Sequence, residues 1–358
     1  MKILDLYIIK KFLTTFFFAI LLIVAVSIVI DITEKIEDFL DNDVSFSTVA
    51  FHYYLNFIPY IANILSPLIV FIAVIFFTSK MAYNSEIVSI LGSGISFYRM
   101  LVPYLISAIF LALLVLIAAH WIVPRANQKR IDFENTYLYT HYARTARNIH
   151  IQLDDERYIY MSHYRSTDSL GYLFTLEKIR NRDLYYKLKA DKIGWDKNNN
   201  NWKLYNYEIR EITSMQATIT KGAEMNLPAI FKPEDFTKKF NHKETMTTPE
   251  LTQFIEQERL KGTENLEVYE VEKHLRTATP FALLILTLIG VSIASRRVRG
   301  GMGLHIAAGM ALSAIYILFM QFSTTFSING TLPVFLGVWI PNMVFGALAI
   351  LLLRMAPK

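Results

Sequence analysis

The sequence predicts a membrane α-helical protein with six transmembrane helices and an inserted all-β, jelly-roll-like domain. Six long apolar runs raise the hydrophobic share to 53% of the 358 residues and leave 19% charged, below the quarter that is usual in soluble domains. Positive charges lie beside alternate ends of these runs. Between the third and fourth runs the pattern changes to short stretches in which apolar and polar residues alternate.

The six apolar runs have the length of membrane-spanning helices, which need about 20 apolar residues. They are residues 12–30, 57–78, 101–123, 278–294, 303–325 and 332–353. The first run follows two lysines, as a signal peptide would. Its length, and the position of the triplet Ala25-Val26-Ser27 inside it, instead predict a retained span. The fourth run is the shortest, and its helix is expected to extend back through Arg276.

The charges beside the runs predict the orientation of the chain. Residues 31–43, after the first run, carry six acids and one lysine. Cations lie before that run and at every second flank thereafter: Lys2, Lys10, Lys11, Lys80, Arg99, Arg296, Arg297, Arg299, Arg354 and Lys358. Because cations favour the cytoplasmic side, both termini are predicted to be cytoplasmic. The chain then divides into residues 1–123 in the membrane, 124–275 outside the cytoplasm, and 276–358 in the membrane.

The outer segment shows which classes of function the composition excludes. Residues 124–275 hold 24 Lys and Arg against 23 Asp and Glu, so the pI near 9.0 reflects membrane topology and not a basic face for nucleic acid. The chain has no cysteine, which excludes disulfides, thiolate catalysis and cysteine-bound zinc.

Alternating residues within the outer segment predict β-strands with one buried face. The expected buried positions are Tyr158, Tyr160, Tyr172, Phe174, Leu176, Trp202, Leu204, Tyr207 and Ile209. Asn198 to Asn201 form a turn signal between residues 193–195 and 202–205, which predicts a hairpin there. The aromatic stripe has two interpretations: an ordinary packed core, which is favoured, or an open interior that accepts acyl chains. Thr247-Thr248-Pro249-Glu250 then predicts the start of a helical stalk.

The membrane half carries no obvious catalytic or ion-binding chemistry. No acid, lysine or arginine lies at mid-depth in the six runs, which disfavours proton or sodium coupling. His120 and His305 are interpreted as interfacial or loop residues, and Asn63 and Gln321 as donors or acceptors of interhelical hydrogen bonds. His141, His150 and His163 are interpreted as surface residues of the outer domain.

Enzyme motifs are also missing from the sequence. It contains no G-x-x-x-x-G-K-[ST], no H-E-x-x-H and no G-x-S-x-G. The chain is therefore predicted to be no enzyme and to hold no cofactor or metal, so any energy for work must come from a partner.

The loop between the second and third runs predicts a short helix. Asn84 or Ser85 can cap it, Glu86 suits its positive end, and Gly92-Ser93-Gly94 ends it. One interpretation is a loop helix whose glutamate only compensates the helix dipole, and the residues alone favour it. The other is a coupling helix that docks into an ATPase, with Glu86 paired to a cation of that partner.

Several short motifs together resemble the LptF/LptG lipopolysaccharide export permeases, also called the YjgP/YjgQ type, and the match covers nearly the whole chain. Ile3 to Lys10, with its Leu-Asp-x-Tyr signature, is similar to the start of LptG, and Ser85-Glu86 with Ser93-Gly94 resembles the family's coupling segment. The other similar segments are His274-Leu275-Arg276 leading to Pro280-Phe281, the basic loop from Ala294 to Gly303, Trp339-Ile340-Pro341-Asn342, and residues 196–204 with Trp202.

The resemblance implies a permease subunit of an ABC exporter in the bacterial inner membrane. In this family LptF and LptG form a pair above two LptB ATPases, so ATP is bound on the partner. Lipopolysaccharide leaves the membrane through a gate of the first and fifth spans and reaches a periplasmic LptC/LptA-type bridge. The chain is similar most of all to LptG, with an LptF-type paralogue as its expected partner. An LptF-type subunit, and a membrane-anchored scaffold or sensor that transports nothing, are the alternatives.

The resemblance also implies roles for particular residues. Ser85, Glu86 and Gly94 fall on the ATPase-coupling segment. Lys35 and Glu34 fall near the substrate gate, where LptG-type chains tend to carry lysines that meet lipid phosphates. Here this stretch is acidic and Lys35 is its one cation. Divalent cations that bridge Glu34, Glu37 or Asp38 to phosphate are the alternative to direct pairing by Lys35.

Overall fold

The computed structural model describes residues 3–138, 145–154, 156–165, 168–180, 183–197, 199–213, 216–233, 242–260, 266–296 and 301–356. Six residues to which predictions were attached lie outside these ranges: Lys2, His141, Asn198, Arg297, Arg299 and Lys358. The chain forms two compact units. The helical unit contains residues up to 133, 243–255 and from 265 onward, and the β unit contains residues 134–242 and 256–264.

The six predicted spans are confirmed as helices that are long and apolar enough to cross a membrane. We name them spans one to six in chain order: Ile3–Asp41, Phe46–Tyr83, Phe97–Leu138, Glu267–Ala294, Gly301–Ile328 and Val334–Met355. Span two includes a π-helical segment, Val49–Tyr54, and span three two more, Ala118–Ile122 and Glu134–Leu138. Several of these helices continue well beyond the apolar runs, because helix hydrogen bonds propagate through polar residues once the helix has formed.

The spans differ strongly in how much of them the rest of the chain covers. Only 11% of the apolar window of span one and 22% of that of span five are buried, against 61% of span four. Span four therefore lies at the centre of the helical unit. Spans one and five leave most of their apolar surface to lipid or to another protein.

Two apolar clusters hold the helical unit together. The first joins spans one, two and three and includes Ile8, Phe12, Phe77 and Tyr104. The ring centroids of Phe12 and Phe77 are 5.5 Å apart. The second cluster joins spans two, four, five and six and includes Phe71, Ile75, Tyr316 and Phe345. Span one joins only the first cluster, through its first half, whereas spans two and four contribute to both. Near the other end of span one, Phe39 packs against Tyr53 and Phe133.

Spans five and six approach each other closely at Gly337. A Cβ atom at this position would lie 1.7 Å from Ser327 Oγ, so only glycine fits. Pro341 in span six leaves the carbonyl of Gly337 without its helical donor, and Ser323 Oγ of span five donates to that carbonyl at 2.5 Å. The Ser323 hydroxyl thereby supplies the Gly337 carbonyl with a hydrogen bond that lipid could not supply.

The β unit contains one antiparallel sheet of six strands in the order β1 to β6. The strands are Thr145–Gln152, Arg157–Arg165, Leu170–Arg180, Asp183–Asp196, Asn201–Thr213 and Gln216–Pro228. The inserted β domain is thus confirmed. Each described strand pairs with the next strand along the chain, so the strands form a single meander. A sandwich or jelly roll has two sheets.

The predicted hairpin and most of the predicted buried face are present in the sheet. Trp195 pairs with Trp202, and Asp196 with Asn201. Phe174, Leu176, Trp202 and Leu204 are buried. In β2, however, the buried residues are Ile159, Met161 and Tyr164, so the prediction for Tyr158 and Tyr160 was wrong, and Tyr172 of β3 is also only half-buried. Because side chains alternate between the two faces of a strand, burial of Ile159 and Met161 leaves Tyr158 and Tyr160 on the other face. The predicted Tyr207 and Ile209 are half-buried against the core.

In the core of the β unit, Trp202 packs against Phe231. Its indole Nε1 donates to the carbonyl of Phe231 at 2.9 Å, and the rings of the two residues are 5.0 Å apart. Trp202 and Phe174 are fully buried. In the part of the chain that the structure describes, the aromatic stripe is a packed core, which agrees with the favoured interpretation.

The stalk helix, Thr248–Leu260, begins where the sequence predicts. The backbone N–H of Thr247 donates to the Glu250 carboxylate at 2.7 Å. This is the reach-back contact of a capping box. Hydrogen bonds from Thr247 lower the pKa of Glu250.

Candidate functional site

The loop between spans two and three contains the predicted short helix, Glu86–Gly92, which we call the loop helix. Ser85 precedes it in the left-handed region, with φ of +61°, and Gly94 follows it with φ of +86°. The predicted side-chain cap is absent at Ser85, which makes no capping hydrogen bond, because N-caps need the extended region instead. Ser85 contributes its carbonyl, which accepts from the Ser89 N–H at 3.0 Å.

The Glu86 carboxylate faces span one. It accepts hydrogen bonds from the Tyr7 hydroxyl at 2.7 Å and from Lys11 Nζ at 3.1 Å. Lys11 also donates to the Tyr7 hydroxyl, so the three groups form one cluster. Burial raises the pKa of Glu86, but the hydrogen bonds from Tyr7 and Lys11 outweigh it and hold the pKa below its usual value. Glu86 therefore remains ionised near neutral pH.

A second ion pair joins span one to the start of span three. The Arg99 guanidinium donates to both oxygens of Asp5, at 2.7 and 2.8 Å. The Asp5 side chain is only 6% exposed. This two-point geometry fixes orientation as well as distance. We call the region that holds Asp5, Lys11, Glu86 and Arg99 the loop end of the helical unit.

Sequence reasoning found Glu86 but not its partners. Asp5 and Tyr7 belong to the Leu-Asp-x-Tyr signature, while Lys11 and Arg99 were counted only as indicators of topology. The available signal was the presence of one acid, one tyrosine and two lysines within residues 5–11, at the start of an apolar helix. Such groups need partners when the helix packs against a neighbour.

Three large apolar or aromatic side chains are exposed at the loop end, among small polar residues. Tyr83, Val88 and Tyr98 are 58%, 61% and 55% exposed. They come from the end of span two, the loop helix and the start of span three. By contrast, Ile87 is buried in the first apolar cluster. The loop helix thus has one face packed against the spans and one face open.

Lys35 lies in another cluster, at the opposite end of span one, which we call the far end. Its Nζ lies 3.0 Å from Asp31 Oδ1 and donates to the Tyr53 hydroxyl. Tyr53 and Tyr54 also donate to the Asp31 carboxylate, at 3.3 and 3.1 Å. The structure thus places Lys35 against an acid of its own helix, while Glu34 is exposed on the same helix.

A cavity of about 270 Å³ lies between spans two, three, four and five. Asn63 and Gln321, two residues interpreted as interhelical hydrogen-bonding groups, line it. The side-chain oxygen of Asn63 is buried without a hydrogen-bond partner, so that interpretation was wrong for this atom. Arg276, also in the lining, donates to Glu272 and to the carbonyls of Lys243 and Met246. It anchors the chain before the stalk helix to span four.

Histidines and acids form no metal site in the described ranges, where no three His, Cys, Asp or Glu are grouped to hold an ion. His305 is buried, with its Nε2 2.9 Å from the carbonyl of Arg296. His163 stacks on Tyr172 at 4.4 Å, and His150 contacts Tyr160 at 4.8 Å. These contacts are those of structural side chains.

Comparison with known proteins gives one clear result. The family model described as lipopolysaccharide export system permease LptF/LptG matches residues 6–355, nearly the whole chain. A search of the curated proteins found no match.

Proposed function

The chain belongs to the LptF/LptG family of lipopolysaccharide export permeases, and on that premise we propose that it is an LptG-type subunit of an ABC exporter. It takes lipopolysaccharide from the bacterial inner membrane and passes it to an LptC/LptA-type bridge in the periplasm. An LptB-type ATPase hydrolyses the ATP, and an LptF-type paralogue completes the membrane pair. Both termini and the loop end lie in the cytoplasm, and the β unit lies in the periplasm.

The observation that carries this proposal is the open face of the loop end. Tyr83, Val88 and Tyr98 place large apolar groups at the end of the helical unit where, by the positive-inside rule, the chain meets the cytoplasm. Large apolar groups exposed at one end of a protein are typical of a protein interface. An ATPase subunit has access to this side of the membrane only, so this face is its docking surface.

The three coupling residues have different parts in this surface. Ser85 and Gly94 adopt left-handed backbone conformations that begin and end the loop helix. They determine how Val88 is presented to the partner. Glu86 lies on the side of span one and holds the loop helix to it.

Spans one and five form the lateral gate. They are the least buried of the six spans, so most of their apolar surface is available to lipid. Their open faces also provide surface for the paralogue. Span four, with most of its apolar window covered, remains the fixed core around which they move.

Lys35 and Glu34 are the proposed gate residues at the periplasmic end of span one. Lys35 is partly exposed but already paired with Asp31. A lipid phosphate would have to share this ammonium with the Asp31 carboxylate. Glu34 is exposed beside it and would meet phosphate through a divalent cation. Normal lipid export by a Lys35→Glu variant would contradict the role of Lys35.

The LptG-type assignment, and not its LptF-type alternative, rests on the signature at the start of span one. Asp5 and Tyr7 of that signature form the contacts to Arg99 and Glu86, so the signature has a structural role in this chain. Isolation of a second six-span protein of the LptF type with this chain would support the assignment. Isolation with a second copy of itself would contradict it.

Co-purification tests the proposed function. A tagged chain extracted from its native membrane is expected to bring down an ATPase subunit, and a Val88→Glu variant is expected to lose it, because a buried unpaired charge opposes docking. Ile219 of β6, which is 53% exposed, provides the matched control: Ile219→Glu should retain the ATPase. If the unmodified chain brings down no ATPase, the protein is a scaffold or sensor and the proposal fails.

A further inference from the structure

We propose that the cavity between spans two, three, four and five binds a neutral lipid, whose small head carries a hydroxyl or amide group and no charge. The described lining consists of residues from these four spans together with Glu244, and none of these residues belongs to span one. The site is therefore distinct from the gate residues Lys35 and Glu34. The inference goes beyond the proposed function, because it requires neither an ATPase nor an exported lipid.

Two side-chain amides in the cavity have no partner. Asn63 and Gln321 line it. The side-chain oxygen of Asn63 is buried without a donor, and neither side-chain amide makes a hydrogen bond within the described ranges. Both residues lie inside apolar runs, where lipid tails supply no hydrogen bonds. Because an unpaired amide is costly in such surroundings and native proteins keep few of them, a bound molecule with a polar head would supply the missing partners.

The charged residues of the wall are already paired with each other or with neutral groups. Arg276 donates to the Glu272 carboxylate at 3.1 Å, and Glu244 accepts from Asn127 Nδ2 at 3.1 Å. A charged lipid head would therefore enter without a counter-ion, which is unfavourable in a buried site. A hydroxyl or amide group both donates and accepts, as the two unpaired amides require. Lipids that carry phosphate, the exported lipid included, do not fit this wall.

The remainder of the lining is apolar and reaches the surface of the helical unit. Ile64 of span two and Ile317 of span five line the cavity and are also 52% and 46% exposed. The cavity is thus open between these two spans, on apolar surface that would face lipid tails. An acyl chain can extend through this opening while its head remains with the amides. The ligand is therefore an amphiphile that enters from the membrane.

The size of the cavity and its mixed wall limit what it holds. Its volume of about 270 Å³ is just below the range of about 300–1,000 Å³ for small-molecule sites. It has room for a small head such as glycerol and the start of one chain, but not for the sugar head of lipopolysaccharide. Water would pair with the amides but would also lie against Pro67, Leu68 and Met320, which offer it no hydrogen bond. A hydroxylated lipid suits both parts of the wall.

Photo-crosslinking tests the inference. The full-length chain is placed in phosphatidylcholine nanodiscs with a small amount of diacylglycerol that carries a diazirine near the head of one chain. A matched probe has the same chains on phosphatidic acid, which adds only a charged phosphate. Relative to the background labelling of span one, diacylglycerol should label peptides that contain Ile64 or Ile317. Phosphatidic acid should label them at least about tenfold less, because its charge finds no partner.

Two amide variants show whether the label reports the proposed site. Asn63→Leu and Gln321→Leu keep the approximate shape and should each reduce diacylglycerol labelling about fivefold, the effect of one lost hydrogen bond. Without diacylglycerol, Asn63→Leu should raise the thermal unfolding midpoint in nanodiscs, because it removes an unpaired buried polar atom. Asn56→Leu is the matched control: Asn56 lies on the same helix outside the described lining and donates to the His52 carbonyl. It should leave the labelling unchanged.

Four results would overturn the inference. Equal labelling by the two probes would show that the cavity does not select a neutral head. Labelling of the cavity peptides at the background of span one would show that no lipid enters. Undiminished labelling of both amide variants would show that the amides do not bind the head. A lower unfolding midpoint for Asn63→Leu would show that water already pairs with this amide. None of these measurements involves an ATPase, so they can fail while the proposed function stands, and the reverse also holds.

Discussion

The two ends of span one carry the same chemistry in different arrangements. Each end combines a carboxylate, a lysine and at least one tyrosine. At the loop end, Glu86 comes from the loop helix, while Lys11 and Tyr7 come from span one. At the far end, Asp31 and Lys35 both belong to span one, and the tyrosines come from span two.

This difference teaches what each cluster can do. At the far end, the two charged groups lie on the same helix and neutralise each other. The contacts between spans one and two are made there by the neutral hydroxyl groups of Tyr53 and Tyr54. At the loop end the ion pair itself crosses between two elements, so the charge attraction acts on their relative position. The Asp31–Lys35 pair is also more buried than the Lys11–Glu86 pair: its side chains are 12% and 20% exposed, against 27% for Glu86 and 31% for Lys11. The far end therefore anchors span one to span two through hydrogen bonds, whereas the loop end attaches span one to the loop helix through an ion pair.

The largest effect on stability is expected from Asp31→Ala. This change removes the acceptor of Tyr53 and Tyr54 and leaves the Lys35 ammonium without its acid. Breaking a largely buried pair in this way costs about 3 kcal/mol of unfolding free energy. Reversible unfolding in detergent micelles would measure the loss.

Glu37→Ala serves as the control for that change, because Glu37 is an exposed acid on the same helix. It should alter the unfolding free energy by less than about 0.5 kcal/mol. Equal losses for the two variants would mean that the far end is no anchor.

A smaller, paired effect is expected from the tyrosines. Tyr54→Phe and Tyr7→Phe each remove one hydroxyl that donates to a carboxylate, at 3.1 Å and 2.7 Å respectively. Tyr54 is 8% exposed and Tyr7 is 41% exposed. An unsatisfied acceptor is more destabilising where water cannot replace the lost donor. We therefore expect Tyr54→Phe to lower the unfolding free energy by about 1–2 kcal/mol, and Tyr7→Phe by about 0.5 kcal/mol or less. Reversible unfolding in detergent micelles measures both losses. A larger loss for Tyr7→Phe than for Tyr54→Phe would show that the donor–acceptor distance matters more than burial here.

The fold could be predicted from the sequence where a single physical length or period determines it. The thickness of the membrane sets the length of an apolar run, and all six runs lie on observed spans. Period two predicted the strands, and the asparagine-rich turn predicted the hairpin in which Trp195 is found paired with Trp202. The ends of the helices could not be predicted in this way. Span three continues to Leu138, in polar sequence where no apolar boundary marks a helix end. The start of span four at Glu267 agrees with the prediction that residues 264–274 run into this span.

The candidate site was predictable only in part. Ser85, Glu86 and Gly94 could be placed around one short helix because glycine and an acid mark its ends. The partners of Glu86 lie 75 and 79 residues away in the chain, and their proximity depends on how spans one, two and three pack. No local pattern determines that packing. For the same reason, the pairing of Lys35 with the tyrosines of span two was not foreseen, although its neighbour Asp31 lies one turn away.

The contact at Gly337 limits how span five can move. Ser327 fills the space that any side chain at position 337 would need, and Ser323 is bonded to the Gly337 backbone. Spans five and six therefore cannot slide past each other. Span six is in turn bonded to span four, because Asn342 Nδ2 donates to the carbonyl of Ala278 at 2.9 Å. Any opening at span five must therefore either carry spans four and six with it or break the contact at Gly337.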